Sequence, residues 1–170
     1  MQIQPVIRHV FLPLLTSTFL LSGVHADSGA PVYLRANNIH YDQTSGLSTY
    51  RGKVRLTRAD LHIRAETATV RQNNSAITSV NASGRPIVLR KGTASGGDLT
   101  VIRGERLKFD AINNKVVITG NVITTRGQDT IRSTRLTYHL DDNHIIADRD
   151  SNAGPVVAEL RPRPQTAPKQ

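Results

Sequence analysis

Along much of this chain apolar and polar residues alternate one by one. Ile39 and Tyr41 flank His40, Val54 and Leu56 flank Arg55, Leu61 and Ile63 flank His62, and Leu107 and Phe109 flank Lys108. A period of two sends successive side chains to opposite faces of an extended backbone, so these segments predict half-buried β-strands. The segments are short and rich in β-branched residues. Gly, Asn or Asp separates them, as turns require. No stretch holds a helical period over about 11 residues. The chain reads as all-β.

The pattern is written twice. Ile39-His40-Tyr41-Asp42, Tyr50-Arg51-Gly52-Lys53-Val54, Arg58 and Ile63-Arg64-Ala65 return 68 residues later. Their counterparts are Leu107-Lys108-Phe109-Asp110, Ile118-Thr119-Gly120-Asn121-Val122, Arg126 and Ile131-Arg132-Ser133. A β-unit that cannot bury its apolar face alone must stack on its copy. The alternation predicts a first strand at 32–35, a meander through 47–51, 54–57, 61–65 and 67–71, and strands at 76–82 and 87–91. Pro86 should break the ladder between the last two, because it has no N–H to donate. A loose loop is expected at 92–97, then two strands joined at Gly104 across 99–110. The second copy runs through 115–119, 122–125, 130–133 and 136–140, with a truncated third echo and a last strand at 156–160. About fifteen short antiparallel strands make a barrel, a jelly roll or a roll of stacked hairpins.

The first 26 residues stand outside this pattern. Arg8 and His9 precede an apolar run from Val10 to Leu21, and Val24-His25-Ala26 puts small residues at the two cleavage positions. That is a secretory signal peptide, with cleavage expected after Ala26. The run is too short to span a bilayer, which takes about 20 apolar residues. Cleavage leaves 144 of 170 residues, one domain's worth, at net charge +8 because the segment holds one arginine and no acid. The domain is expected over 27–160. The tail at 161–170 carries Pro162, Pro164 and Pro168 and is expected to be disordered. With no cysteine in the chain, thiolate metal sites and disulfides are excluded.

Taken in order, several segments resemble the OstA-like family. They are Ile39-His40-Tyr41-Asp42, Thr49-Tyr50-Arg51-Gly52-Lys53-Val54, Leu61-His62-Ile63-Arg64-Ala65, Ser83-Gly84-Arg85-Pro86-Ile87, Val117 to Val122 and Ile131 to Tyr138. The likeness runs from about Val32 to Leu160. It implies an open twisted β-jelly-roll with an apolar interior groove that accepts the acyl chains of lipopolysaccharide, located in the periplasm. It also implies head-to-tail joining, to itself as a homo-oligomer and to inner- and outer-membrane transport components of the same fold. The chain departs from the family in the basic character of its first half, with Arg51, Arg55, Arg58, Arg64 and Arg71.

Under that reading the interior lining is Val32, Leu34, Ile39, Tyr41, Val54, Leu56, Leu61, Ile63, Leu107, Phe109, Val116, Ile118, Ile131, Leu136 and Tyr138. The ordinary alternative is that these residues fill a sandwich core. They are mostly medium-sized and contain few aromatics, so a layer built from them can leave room for acyl chains, each methylene contributing about 0.8 kcal/mol on burial. Arg35, Lys53, Arg55, Arg103, Arg106 and Arg135 are the candidates for phosphate, which arginine grips with two bonds at once. The bland role for such residues is to keep strand edges polar. Edge strands at the two chain ends would each offer an unpaired ladder to a partner.

Other functions fit less well. The histidines at 40, 62, 139 and 144 have no nucleophile beside them and no metal-ligand spacing, so neither an enzyme nor a metal or cofactor is expected. A nucleic-acid binder would suit the charge but lacks the aromatic platforms for stacking, and an exported chain leaves the compartment of DNA. No Gly-rich phosphate loop is present to make the chain a motor. An inner-membrane-anchored member of the same pathway, its apolar segment uncleaved, keeps the fold and changes the address.

Overall fold

The computed structural model describes residues 30–74, 76–92 and 98–162. The expected signal peptide, most of the expected loop at 92–97 and residues 163–170 of the expected tail lie outside the described residues. Ten strands are present among the described residues: β1 (Tyr33–Arg35), β2 (Asn38–Asp42), β3 (Leu47–Arg58), β4 (Leu61–Asn73), β5 (Ala76–Lys91), β6 (Thr100–Asp110), β7 (Lys115–Arg126), β8 (Asp129–His139), β9 (His144–Asp148) and β10 (Val157–Glu159). Among the described residues there is no helix. All ten form one antiparallel sheet in the order β1-β3-β4-β5-β6-β7-β8-β10, with β2 also on β3 and β9 also on β8. The about fifteen short strands read from the sequence are therefore ten, and β3 to β8 are long, with 11 to 16 residues each.

The excess arises because each long strand is creased once in its middle; β4 and β5 slip a second time near the turn that joins them, at Arg71/Gln72. The ladder slips between Arg51 and Val54, Arg64 and Thr67, Ser83 and Ile87, Arg103 and Arg106, and Thr119 and Val122. Arg51 pairs with Thr67, Thr67 with Ser83, Ser83 with Arg106 and Arg106 with Thr119, so the slips form one line across the sheet. Bulges bend strands and sharpen their twist. This line divides the sheet into two leaves. The first holds β2, β9 and the halves of β3 to β8 that pair with them; the second holds β1, β10 and the remaining halves. Pro86 lies on the line, where its missing N–H costs no ladder bond, and β5 continues past it to Lys91.

The leaves close on each other. Val116, Ile118 and Leu136 of the first leaf and Ile87, Leu89 and Ile102 of the second all have zero exposure. One sheet cannot cover its own face, and no helix is available among the described residues, so each leaf is the lid of the other. These six belong to one apolar cluster with Val54, Leu56, Val70, Val80, Leu107, Val122 and Tyr138. Burying a side chain of that size contributes about 1.5–3 kcal/mol. At the crease the leaves approach closely: a Cβ on Gly104 would stand 2.5 Å from Ile118 Cγ2.

The 68-residue repeat is structural. β3 starts at Leu47 and β7 at Lys115, β4 at Leu61 and β8 at Asp129, β5 at Ala76 and β9 at His144. Positive φ angles recur at the same interval, at Gly46 and Asn114, Gly52 and Gly120, Lys53 and Asn121, and Ala59 and Gly127. The single strand β6 occupies in the second copy the place that β1 and β2 share in the first.

Candidate functional site

Between the leaves, away from the crease, lies a cavity of about 710 Å³. Val32, Leu56, Leu61 and Ile63 line it from the second leaf, and Ile77, Val80, Phe109, Val116 and Leu140 from the first. Both walls carry inward strand positions, so the wall is apolar for the reason the core is. Polar groups stand at its mouth: Arg58, Gln72 and Asn114. A space of this size suits an apolar ligand or part of one.

The expected lining residues divide into three groups. Val54, Leu56, Leu61, Ile63, Leu107, Val116, Ile118, Leu136 and Tyr138 are buried in the core, and Val32, Leu34 and Phe109 pack against it half-buried. Ile131 is half-buried outside the cluster, facing Thr124 on one side and Ala158 on the other. Ile39 and Tyr41 are not interior: they are 57% and 54% exposed. Their face is nevertheless the inner one, since they pair with half-buried Tyr50 and buried Ser48. They are open because β2 is an edge and, among the described residues, no strand lies beyond it. Sequence alternation assigned the face and had no means of assigning the edge.

Of the six cations expected to meet phosphate, five stand on the other side of the sheet and one on the crease. Arg35, Arg55 and Arg103 alternate with the inward residues Leu34, Leu56 and Ile102, and Arg106 and Arg135 alternate with Leu107 and Leu136, so all five point outward. Lys53 sits exposed on the crease. Arg35 pairs with Arg55, Arg55 with Arg64, Arg64 with Val88 and Val88 with Arg103, making an arginine row along the outer face. Ion pairs among the described residues join Lys91 to Asp60, Arg135 to Asp150 and Arg161 to Glu159; none reaches that row. The rim placement is corrected: these side chains flank the crease, the edge of the groove farthest from its mouth.

The mouth has other cations. Arg58 pairs with Leu61, Leu61 with Lys91, Lys91 with Thr100 and Thr100 with Arg126, which forms a row along the lip of the second leaf. Arg58 and Arg126 continue the inward series Val54, Leu56 and Val122, Thr124. Lys91 is engaged by Asp60 at 3.1 Å. Burial pushes the Tyr138 phenol above its ordinary pKa, Arg126 works against that rise and Asp60 adds to it, so both charges lie within reach of the interior. The Tyr138 hydroxyl donates to Asn143 Oδ1 at 2.9 Å. Arg58 and Arg126 were present in the sequence as matched members of the repeat. Their strand parity is the signal in the sequence that places them.

Among the described residues, nothing covers either sheet edge. Tyr33, Ile39 and Tyr41 at one edge and Ile146, Val156, Val157 and Leu160 at the other are exposed, leaving only Leu99 and Ile112 of the large exposed apolar residues elsewhere among the described ones. Arg161, just past β10, is tied back to β8, its backbone N–H donating to Asp129 Oδ1 at 3.0 Å. No group of three or more potential metal ligands exists among the described residues, and no helix there is long and apolar enough to cross a membrane.

This creased sheet, with its apolar interior and open ends, matches known proteins. A family model described as "LptA/(LptD N-terminal domain) LPS transport protein" covers residues 33–147. The chain belongs to that family. It is similar to the lipopolysaccharide export system protein LptH of Pseudomonas aeruginosa, with 24% identity over 139 residues, 81% of this chain and 78% of the relative. The crystal structure of LptH, titled as the LptA-homologous periplasmic component of a lipopolysaccharide transport device, superposes with a TM-score of 0.71 at 20% identity, over 78% of this chain and 96% of that one. That likeness establishes the jelly-roll-like LptA fold for the creased sheet, as the sequence resemblance implied.

Proposed function

We propose that this chain is a periplasmic carrier of lipopolysaccharide, exported by cleavage after Ala26, that acts through the domain at 27–160 as one link in a bridge between inner and outer membranes. The observation that carries the reading is the continuity of the inner apolar face. It runs from the cavity onto two uncovered edges, through Ile39 and Tyr41 at one and Ile145, Ala158 and Leu160 at the other. A protein that ended there would leave apolar strand edges to pair with any chain, a hazard that proteins ordinarily blunt. A partner of the same fold, a second copy or a membrane-complex component, turns the hazard into a joint and extends the groove. The centre is filled by side chains, so acyl chains enter at the cavity lined by Leu56, Ile63, Phe109 and Val116. Binding follows apolar area, at about 25 cal/mol per Å², and needs no catalysis or cofactor.

Photo-crosslinking residues placed in living cells test the reading. Phe109 and Ile39 should capture lipopolysaccharide, and Lys108, which neighbours Phe109 and faces outward, should not. Equal capture at Lys108, or none at Phe109, would remove the groove from the pathway.

A further inference from the structure

Resting on the carrier reading, we infer that Arg58 and Arg126 are matched stations for the anionic headgroup of the carried lipid, set at equal intervals along the bridge. Three observations lead here. First, both belong to the inward series on the lip of the second leaf, and Arg58 lines the cavity mouth directly above apolar walls. An amphiphile with its chains in that cavity puts its headgroup at this lip. Second, the remaining cation of the lip row, Lys91, is held by Asp60, whereas no ion pair among the described residues involves Arg58 or Arg126. A guanidinium without a carboxylate is free to take phosphate in a bidentate grip.

The third observation is the spacing. Along the second leaf the strands run β1-β3-β4-β5-β6-β7-β8-β10. Arg58 on β3 and Arg126 on β7 are four strands apart, roughly 19 Å at about 4.8 Å per strand. If β10 of one copy meets β1 of the next, the step from Arg126 to the following Arg58 is again four strands: β8, β10, β1, β3. The repeat therefore sets an unbroken series of equal steps through the assembly. The headgroup leaves one cation only as far from the next as it was from the last. The outer arginines, Arg35, Arg55 and Arg64, have no part in this series.

The test uses the purified chain with lipopolysaccharide and with the same lipid stripped of phosphate. The wild type should bind the phosphorylated lipid about tenfold more tightly, each of Arg58→Gln and Arg126→Gln should lose about threefold, and the double variant should bind both lipids alike. Arg55→Gln on the outer face should change nothing. A double variant that keeps the preference, or an Arg55→Gln loss equal to that of the lip variants, overturns the inference while leaving the carrier intact. Binding of neither lipid by the wild type defeats the carrier reading, and this inference with it.

Discussion

Asp42 and Asp110 hold the same turn in the same way, 68 residues apart. Asp42 Oδ1 accepts the N–H groups of Thr44 and Ser45 at 2.9 and 3.3 Å, and Oδ2 accepts the Ser45 hydroxyl at 2.7 Å. Asp110 Oδ1 accepts those of Ile112 and Asn113 at 3.0 and 3.2 Å, and Oδ2 accepts the Asn113 amide at 2.7 Å. One turn leads from edge strand β2 into β3, the other from interior strand β6 into β7. The repeat thus extends from sequence to individual hydrogen bonds, which is why a relation between copies carries physical weight.

Those bonds favour the ionised carboxylates. The Ser45 hydroxyl, then the Ser45 and Thr44 N–H groups, lower the pKa of Asp42; the Asn113 side chain, then backbone N–H groups, lower that of Asp110. A depressed folded pKa means stability that is present above the unfolded carboxylate value and lost as pH falls through the folded one. Both turns should therefore loosen in the same acid window. Carboxyl NMR titration should show both groups ionising below the ordinary aspartate range; an ordinary midpoint at either would break the equivalence.

Ala59 and Gly127 occupy one repeat position and both have positive φ, +49° and +60°. A Cβ in that region costs about 1–2 kcal/mol, offset in part by the greater freedom of unfolded glycine. Ala59→Gly should therefore stabilise the chain by about 0.5–1 kcal/mol. Gly127→Ala should destabilise it by at least as much, since its Cβ would also meet Asp98 at 2.9 Å. Denaturant midpoints of the two variants should move in opposite directions.

The crease explains what the sequence displayed and what it concealed. On β4 the inward residues are Leu61 and Ile63 on one side and Ala68 and Val70 on the other, an odd series followed by an even one. On β5, Val80 and Ala82 give way to Ile87 and Leu89 in the reverse sense. A period-of-two reading sees two short strands wherever the phase slips, so the strands were placed correctly and counted too high. Pro86 and Gly104 reinforce that reading and mask Ile87, Leu89 and Ile102, which are among the most buried residues. Parity within each half was legible. Which arginines face outward is legible from the same parity, although charge alone points the other way.

Core and edge should separate under mutation. Leu136, with no exposure, lies under the opposite leaf, and Leu136→Ala should cost about 2–5 kcal/mol. Ile39→Ala, at an open edge, should shift stability by no more than about 0.5 kcal/mol and yet weaken self-association. Thermal melts paired with sedimentation velocity would distinguish the two; a large loss of stability for Ile39→Ala would mean that β2 is covered by the chain itself.

The repeat also specifies the register of a joint between copies. Ala82 pairs with Leu107 inside the sheet. In the second copy Ala147 takes the place of Ala82, because Leu136 pairs with Ala147 as Ala68 pairs with Ala82. In the first copy Ile39 takes the place of Leu107, because Ile39 pairs with Tyr50 as Leu107 pairs with Ile118. The interior pairing of β5 with β6 is therefore the template for β9 meeting β2 of the next molecule, with Ala147 opposite Ile39, Ile145 opposite Tyr41 and His144 opposite Asp42. Each apolar pair would then lie on the inner face, and the groove would pass through the joint unbroken. The chain has no cysteine of its own, so paired substitutions report cleanly. Ala147→Cys mixed with Ile39→Cys should oxidise to a crosslinked dimer, while Ala147→Cys with His40→Cys, one residue out of register and on the opposite face, should not. A one-residue slip would turn every inward side chain of the added strand outward. Preferential crosslinking at His40 would show that the edges join in another register or not at all, and the equal spacing of Arg58 and Arg126 across copies would fail with it.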